Sequence, residues 1–106
     1  MEKITTKEMF AETINRSQPV ILKFETTWCP DCKRLDMFID EIVKEYSEYE
    51  WYAIDRDEFP EIGETYEVLG IPSLLIFQNG EKKAHLHSAY AKTPDDIRNF
   101  LNEVKA

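Results

Sequence analysis

The sequence predicts a single α/β domain spanning residues 1–106, a central mixed β-sheet flanked by helices on both faces. Three observations lead there. Runs of β-branched and aromatic residues alternate with apolar stripes at helical spacing, and strands separated by helices pair in parallel. An Asn79-Gly80 pair between two strand-like runs adds an antiparallel hairpin late in the chain. No linker, repeat or low-complexity stretch interrupts the 106 residues, and a chain of that length buries a workable core without metal or structural disulfide.

The elements follow in order. A short strand is expected at Lys3 to Thr5. Thr5-Thr6-Lys7-Glu8 predicts a helix start, with Thr5 as N-cap and Glu8 closing a capping box. Met9, Phe10 and Ile14 supply its apolar stripe, and it stops near Ser17-Gln18-Pro19. Val20 to Glu25 reads as a strand, with Val20, Leu22 and Phe24 on one face and Ile21, Lys23 and Glu25 on the other. Thr26-Thr27-Trp28-Cys29 is its exit loop. From Pro30, which suits the first position of a helix, Leu35, Phe38, Ile39, Ile42, Val43 and Tyr46 form one stripe. Trp51 to Asp55 is the next strand, and the surrounding Tyr46, Tyr49, Trp51 and Tyr52 read as core. Phe59-Pro60-Glu61 opens a short helix that stops at Gly70. Ser73 to Phe77 and Lys82 to His87 are the arms of the hairpin. Thr93 caps the last helix, with Pro94 at its first position, Asp95 and Asp96 in its first turn, and Ile97, Phe100, Leu101 and Val104 facing inward.

The formal charge of −8, from 21 acidic and 13 basic side chains, repels phosphate backbones and anionic lipid, so neither nucleic acid nor membrane surfaces are expected partners. The N-terminus lacks the apolar run of a secretory signal, and no 18 consecutive apolar residues occur. The expected location is cytoplasmic.

Two cysteines, Cys29 and Cys32, are the only ones in the chain. A disulfide closing so small a loop removes little entropy from the unfolded chain, and in a reducing compartment it does not persist as a staple. Chemistry is the better reading. The pattern puts the Cys29 sulfur exposed at a strand exit and a helix mouth, where unpaired N–H groups and the helix dipole stabilise a thiolate. Cys32 lies one turn further in, within reach of a mixed disulfide on Cys29. The pair fits a two-step exchange in which Cys29 attacks and Cys32 resolves. Zinc sites built on this spacing need a second ligand pair. Only His85 and His87 remain, on a distant strand where they read as surface polarity, so no metal is expected.

Trp28-Cys29-Pro30-Asp31-Cys32, Gly70-Ile71-Pro72-Ser73 and Phe77-Gln78-Asn79-Gly80-Glu81, in this order and spacing, resemble the thioredoxin family over nearly the whole chain. The resemblance implies a thioredoxin-like fold, a cis Ile71–Pro72 bond facing the cysteines, and substrates docking as an extended strand on the Ile71 backbone. It further implies reduction of disulfide-bearing proteins by a monomer that binds no cofactor. A flavoprotein reductase fed by NADPH would return its electrons.

Five positions depart from the family. Pro30-Asp31 replaces Gly-Pro between the cysteines. Asp31 either opposes thiolate formation and biases substrate choice, or is a solvated residue of an exposed turn. Lys23 stands where the family has a buried carboxylate assisting proton transfer at the second cysteine. Strand alternation sets Glu25 on its face, so a Lys23–Glu25 pair is expected to replace that acid; the alternative is a Lys23 that snorkels to solvent. Met37 replaces a kinking proline and predicts a straighter helix. Ser88 replaces a glycine of the docking surface and, with Ala89 and Tyr90, predicts a narrower platform. Trp28 is expected to shield the nucleophile and offer apolar contact, or else to pack beneath its loop.

The leading expectation is thus a protein-disulfide reductase. The competing one is a non-catalytic adaptor that holds a partner on Trp28, Ile71 and Tyr90, and the intact cysteine pair disfavours it. A disulfide-forming oxidase is a weaker third, given the expected location.

Overall fold

The structure is a computed structural model describing residues 1–105. Five strands form one sheet in the order β1-β3-β2-β4-β5, comprising β1 (Glu2–Lys3), β2 (Val20–Glu25), β3 (Glu50–Asp55), β4 (Ser73–Gln78) and β5 (Glu81–Leu86). β1 and β2 both run parallel to β3, while β4 is antiparallel to β2 and β5 to β4. The helices are α1 (Lys7–Ile14), α2 (Pro30–Asp36), α3 (Ile39–Glu45), α4 (Pro60–Thr65) and α5 (Pro94–Lys105).

The two-residue period of the strands divides the core. Val20, Leu22 and Phe24 of β2 pack with Tyr52, Ile54, Leu75 and Phe77 against Phe10, Ile14, Phe59 and Val68, beneath α1 and α4. Ile21 faces the opposite side, with Trp51, Leu74 and Ile76, under α2, α3 and α5. Lys23 and Glu25 follow Ile21 on that second face, which turns them toward α2. Tyr46, Tyr49, Trp51 and Tyr52 are all buried, the first three in one cluster and Tyr52 in the other.

Local signals placed most boundaries. Asn79 and Gly80 both have positive φ, 54° and 82°, as a two-residue hairpin turn with the sheet's own twist requires. The Thr93 hydroxyl accepts the Asp96 N–H at 3.2 Å, and Asp96 accepts the N–H groups of Lys92 and Thr93, so α5 begins in a reciprocal cap.

Four expectations are corrected. The first helix is capped by Thr6, whose hydroxyl accepts the Met9 N–H at 3.0 Å, while Thr5 turns its hydroxyl to the Met9 sulfur. The helix after Pro30 is not straighter but divided, because the N–H groups of Met37 and Phe38 bond three residues back, to Arg34 and Leu35. That tightened turn leaves Phe38 at φ −131° and closes α2 with Asp36 held on Lys23. Leu35, Ile39 and Ile42 remain in phase across the break, so periodicity does not reveal it. α4 ends well before Gly70. Glu67 adopts φ 61°, the Glu67 N–H bonds to Glu64 and the Val68 N–H to Gly63, and burial of Val68 holds this turn without a glycine. Val104 is exposed, because the inward stripe of α5 ends at Leu101.

Among the described residues, no helix is long and apolar enough to cross a membrane.

Candidate active site

β2 ends at Glu25, and the chain passes through Thr26, Thr27 and Trp28 to reach Cys29, the N-cap of α2. At φ −82° and ψ 115°, Cys29 directs its sulfur back over the helix mouth, where Sγ accepts the Cys32 N–H at 3.1 Å. The sulfur thus takes the place a serine or aspartate oxygen holds at an ordinary N-cap, satisfying a donor that the helix leaves free. Pro30 follows at the first helical position, where it has no N–H to lose.

Cys29 is 4% exposed, against the open position expected from the sequence. It does not lie in purely apolar packing, however, since its Sγ faces the helix amide on one side and the Ile71 carbonyl, 3.8 Å away, on the other. The Ile71–Pro72 bond is cis, and it brings that carbonyl to the cysteine across 42 residues of chain. The Ser73 hydroxyl donates to the Gly70 carbonyl at 2.6 Å and fastens the other end of this turn.

Cys32 is buried beside it, and both thiols are free. Burial pushes the Cys32 thiol up to about 12, and the adjacent Cys29 and the Glu25 carboxylate push the same way. A hydrogen bond from the Thr26 backbone works against them. Cys32 is therefore a protonated thiol at rest, and its proton has to leave before it can act as a nucleophile. The Thr26 hydroxyl is buried close by and has no hydrogen-bond partner among the described residues.

Charge lies directly beneath. The Lys23 ammonium, on a side chain only 7% exposed, sits 2.8 Å from Glu25 and 2.5 Å from Asp36. Lys23 does not snorkel. Burial alone would drive its pKa down, but the hydrogen bonds to Asp36 and Glu25 outweigh that and hold it above the ordinary lysine value. Asp36 was not foreseen as a partner. It stands four residues after Cys32, one turn along the same face of α2, so the Lys23 contact reaches the helix directly below the second cysteine.

Around the pair, Trp28 is 64% exposed, with its indole N–H donating to Asp57 at 2.7 Å. It neither packs beneath the loop nor lies in the core. A groove of about 190 Å³ opens between Trp28, Asp57 and the Leu69–Ile71 backbone. Ser88 and Tyr90 lie on a 3₁₀ turn, Ser88–Tyr90, with Tyr90 largely exposed. The Ser88 hydroxyl approaches Gly70 so closely that a Cβ there would stand 2.2 Å from it. Ser88 thus fills the space beside Gly70. Asp31 is neither free in solvent nor an uncompensated charge, since its carboxylate lies 2.9 Å from Lys92 and 3.2 Å from Arg34. Lys92, Asp57 and Asp36 leave no mark in the motif, because each reaches the site only through folding.

His85 and His87 are not two independently solvated side chains. Their rings stack at 3.8 Å, with His85 half-buried and its Nδ1 3.2 Å from the Lys82 ammonium. Burial, then His87 and Lys82, push the His85 pKa down to about 4. The folded protein holds this imidazole neutral, whereas the unfolded chain takes up a proton from about 6.5 downward, so stability falls as pH drops through that window. Thermal midpoints between those two values are expected to decline more steeply in wild type than in His85→Gln; parallel declines would refute the assignment. A groove of about 440 Å³ runs between this His pair and α5, away from both cysteines. Among the described residues, no cluster of three His, Cys, Asp or Glu side chains is placed to hold a metal ion.

Comparison with known proteins agrees with this geometry. The family profile described as Thioredoxin matches residues 1–103. The chain is 38% identical over 87 residues to a chloroplastic M-type thioredoxin of Spinacia oleracea, covering 79% of this chain and 48% of that protein. It is 31% identical over 84 residues to Thioredoxin-1 of Saccharomyces cerevisiae, covering 79% and 82%. The chain spans about half the length, or less, of the chloroplastic relatives it matches. Its backbone superposes on a Plasmodium falciparum thioredoxin with a TM-score of 0.86 at 23% identity, over 97% of this chain and 98% of that one. With a profile spanning almost every residue, and the cysteine pair, helix mouth and cis-prolyl turn assembled at one end of the central strands β2 and β4, the chain belongs to the thioredoxin family.

Proposed function

We propose that this chain is a thiol–disulfide oxidoreductase that reduces protein disulfides through Cys29 and Cys32. The observation that carries the reading is the seat of Cys29 Sγ, which caps α2 through the Cys32 N–H at 3.1 Å and faces the Ile71 carbonyl 3.8 Å away. As a thiolate, Cys29 attacks one sulfur of a substrate disulfide; a new S–S bond forms, the old one breaks, and the departing sulfur takes up a proton. Cys32 then loses its proton and attacks Cys29 Sγ. This closes the Cys29–Cys32 disulfide and releases the second substrate thiol, so two electrons have passed to the substrate.

The substrate strand lies along Ile71 and Pro72, between Trp28 on one side and Ser88 and Tyr90 on the other. The Glu25 carboxylate, held by the Lys23 ammonium that also pairs with Asp36, takes the proton that Cys32 gives up, and the ion pairs of 2.8 and 2.5 Å support this role for the Lys23–Glu25 pair. Recycling calls for an external dithiol or a thioredoxin-reductase-like donor. A monomer in the cytoplasm suits a couple that must be returned to the dithiol in a reducing compartment.

Reduction of insulin by dithiothreitol tests the reading. The wild-type chain accelerates it, and Cys29→Ser abolishes the acceleration. A chain that gave none, with Cys29→Ser indistinguishable from wild type, would instead be an adaptor holding partners on Trp28, Ile71 and Tyr90.

A further inference from the structure

Between the two cysteines stands a carboxylate, which by position opposes a thiolate at either one. The structure balances it from a distant part of the chain. Lys92 lies 61 residues away, between the turn that carries Tyr90 and the first residue of α5, and its ammonium sits 2.9 Å from Asp31 Oδ2. Arg34 holds the other oxygen at 3.2 Å. Lys92 is itself fixed in place, since its backbone N–H donates to Asp96 at 3.0 Å, inside the cap of α5. Two cations thus bracket one carboxylate in the first turn of α2. The Asp31 carboxyl accordingly lies below its ordinary value, with the Lys92 hydrogen bond as the largest cause.

We propose that Lys92 is a positioning residue for the reaction, acting through Asp31: by clamping and neutralising that carboxylate, it turns the segment between the cysteines from a repulsive one into one that favours the Cys29 thiolate. The inference rests on Cys29 being the attacking sulfur. The other charged groups around the pair are accounted for. Lys23 is committed to Glu25 and Asp36, Asp57 to the Trp28 indole, and Arg56 to the carbonyls of Val68 and Pro60. On α2 itself, Lys33 is exposed and Arg34 already serves Asp31. Among the described residues, Lys92 is the one cation brought to Asp31 by tertiary structure alone.

The test is the rate at which iodoacetamide, an uncharged reagent, alkylates Cys29 in the full chain, read by mass of the labelled peptide. One partly screened unit charge near a thiolate at a helix mouth alters its formation by roughly threefold at low ionic strength. Lys92→Met is expected to slow alkylation by about that factor at neutral pH, and added salt should erase most of the difference. Lys92→Arg is expected to restore the rate. In an Asp31→Asn background, Lys92→Met should change it by much less than threefold. An equal slowing in both backgrounds would show that Lys92 acts without Asp31, and no slowing at low salt would show that it does not act at all; either result overturns the proposal. Insulin reduction does not enter this measurement, so loss of the reductase reading and loss of this inference remain distinguishable.

Discussion

Replacing Cys32 by Ser is expected to stop the reaction halfway, leaving substrate covalently attached at Cys29. The first step needs only the Cys29 sulfur and the helix mouth, and the Cys32 backbone N–H that caps it survives the substitution. The second step needs a sulfur at position 32. An external thiol at millimolar concentration replaces an intramolecular one whose effective concentration is molar or higher, so turnover falls by roughly 10³-fold or more. The adduct should appear as a mass increase equal to one substrate chain and vanish on treatment with dithiothreitol. Full turnover by Cys32→Ser, or an adduct on any residue other than Cys29, would reverse the assigned roles.

Lys23→Met carries the second large effect, and it acts on stability and chemistry together. In wild type one buried ammonium separates two carboxylates. Without it Glu25 and Asp36 face each other uncompensated, and breaking such a pair costs about 2–3 kcal/mol, below the range for full burial because the Asp36 side chain is 52% exposed and can turn to water. Denaturant unfolding measures this directly. Neutralising both acids in the Lys23→Met background should recover most of the loss. The pH dependence has a definite sign. The folded state binds the Lys23 proton more tightly than the unfolded chain, so this stabilisation is complete below the ordinary lysine value of 10.5 and is lost as pH rises through the higher folded value. Lys23→Met lacks that alkaline component. For the chemistry, the pH profile of the resolving step should move, since Glu25, which takes the Cys32 proton, loses the cation that sets its basicity. Superimposable profiles in wild type and variant would confine Lys23 to a structural role.

Much of the molecule was legible before folding. The alternation of Val20 to Glu25 assigned each side chain of β2 to its face, and both core clusters follow that division. Asn79-Gly80 announced its turn because only residues tolerant of positive φ fit there. Thr93 announced the start of α5 because its hydroxyl and Asp96 complete each other's bonds within four residues. Where such reasoning missed, a distant contact had prevailed. The helix after Pro30 divides although its apolar stripe continues in phase, and α4 stops at a left-handed Glu67 that no glycine marks. The exposed Cys29 expected from its loop is instead seated against the Ile71 carbonyl.

By itself, then, the sequence determined the strands and their faces, the Asn79-Gly80 turn, the cap of α5, the family, and the two sulfurs set one helical turn apart. These depend on forces between near neighbours: steric limits on φ, capping hydrogen bonds and the periodicity of burial. Tertiary structure alone decided which polar groups distant in sequence meet. Lys23 found Asp36 across 13 residues, Trp28 found Asp57 across 29, and Lys92 found Asp31 across 61. An ion pair or a side-chain hydrogen bond depends on distance in space and on the water excluded around it, and neither quantity exists until the chain has packed.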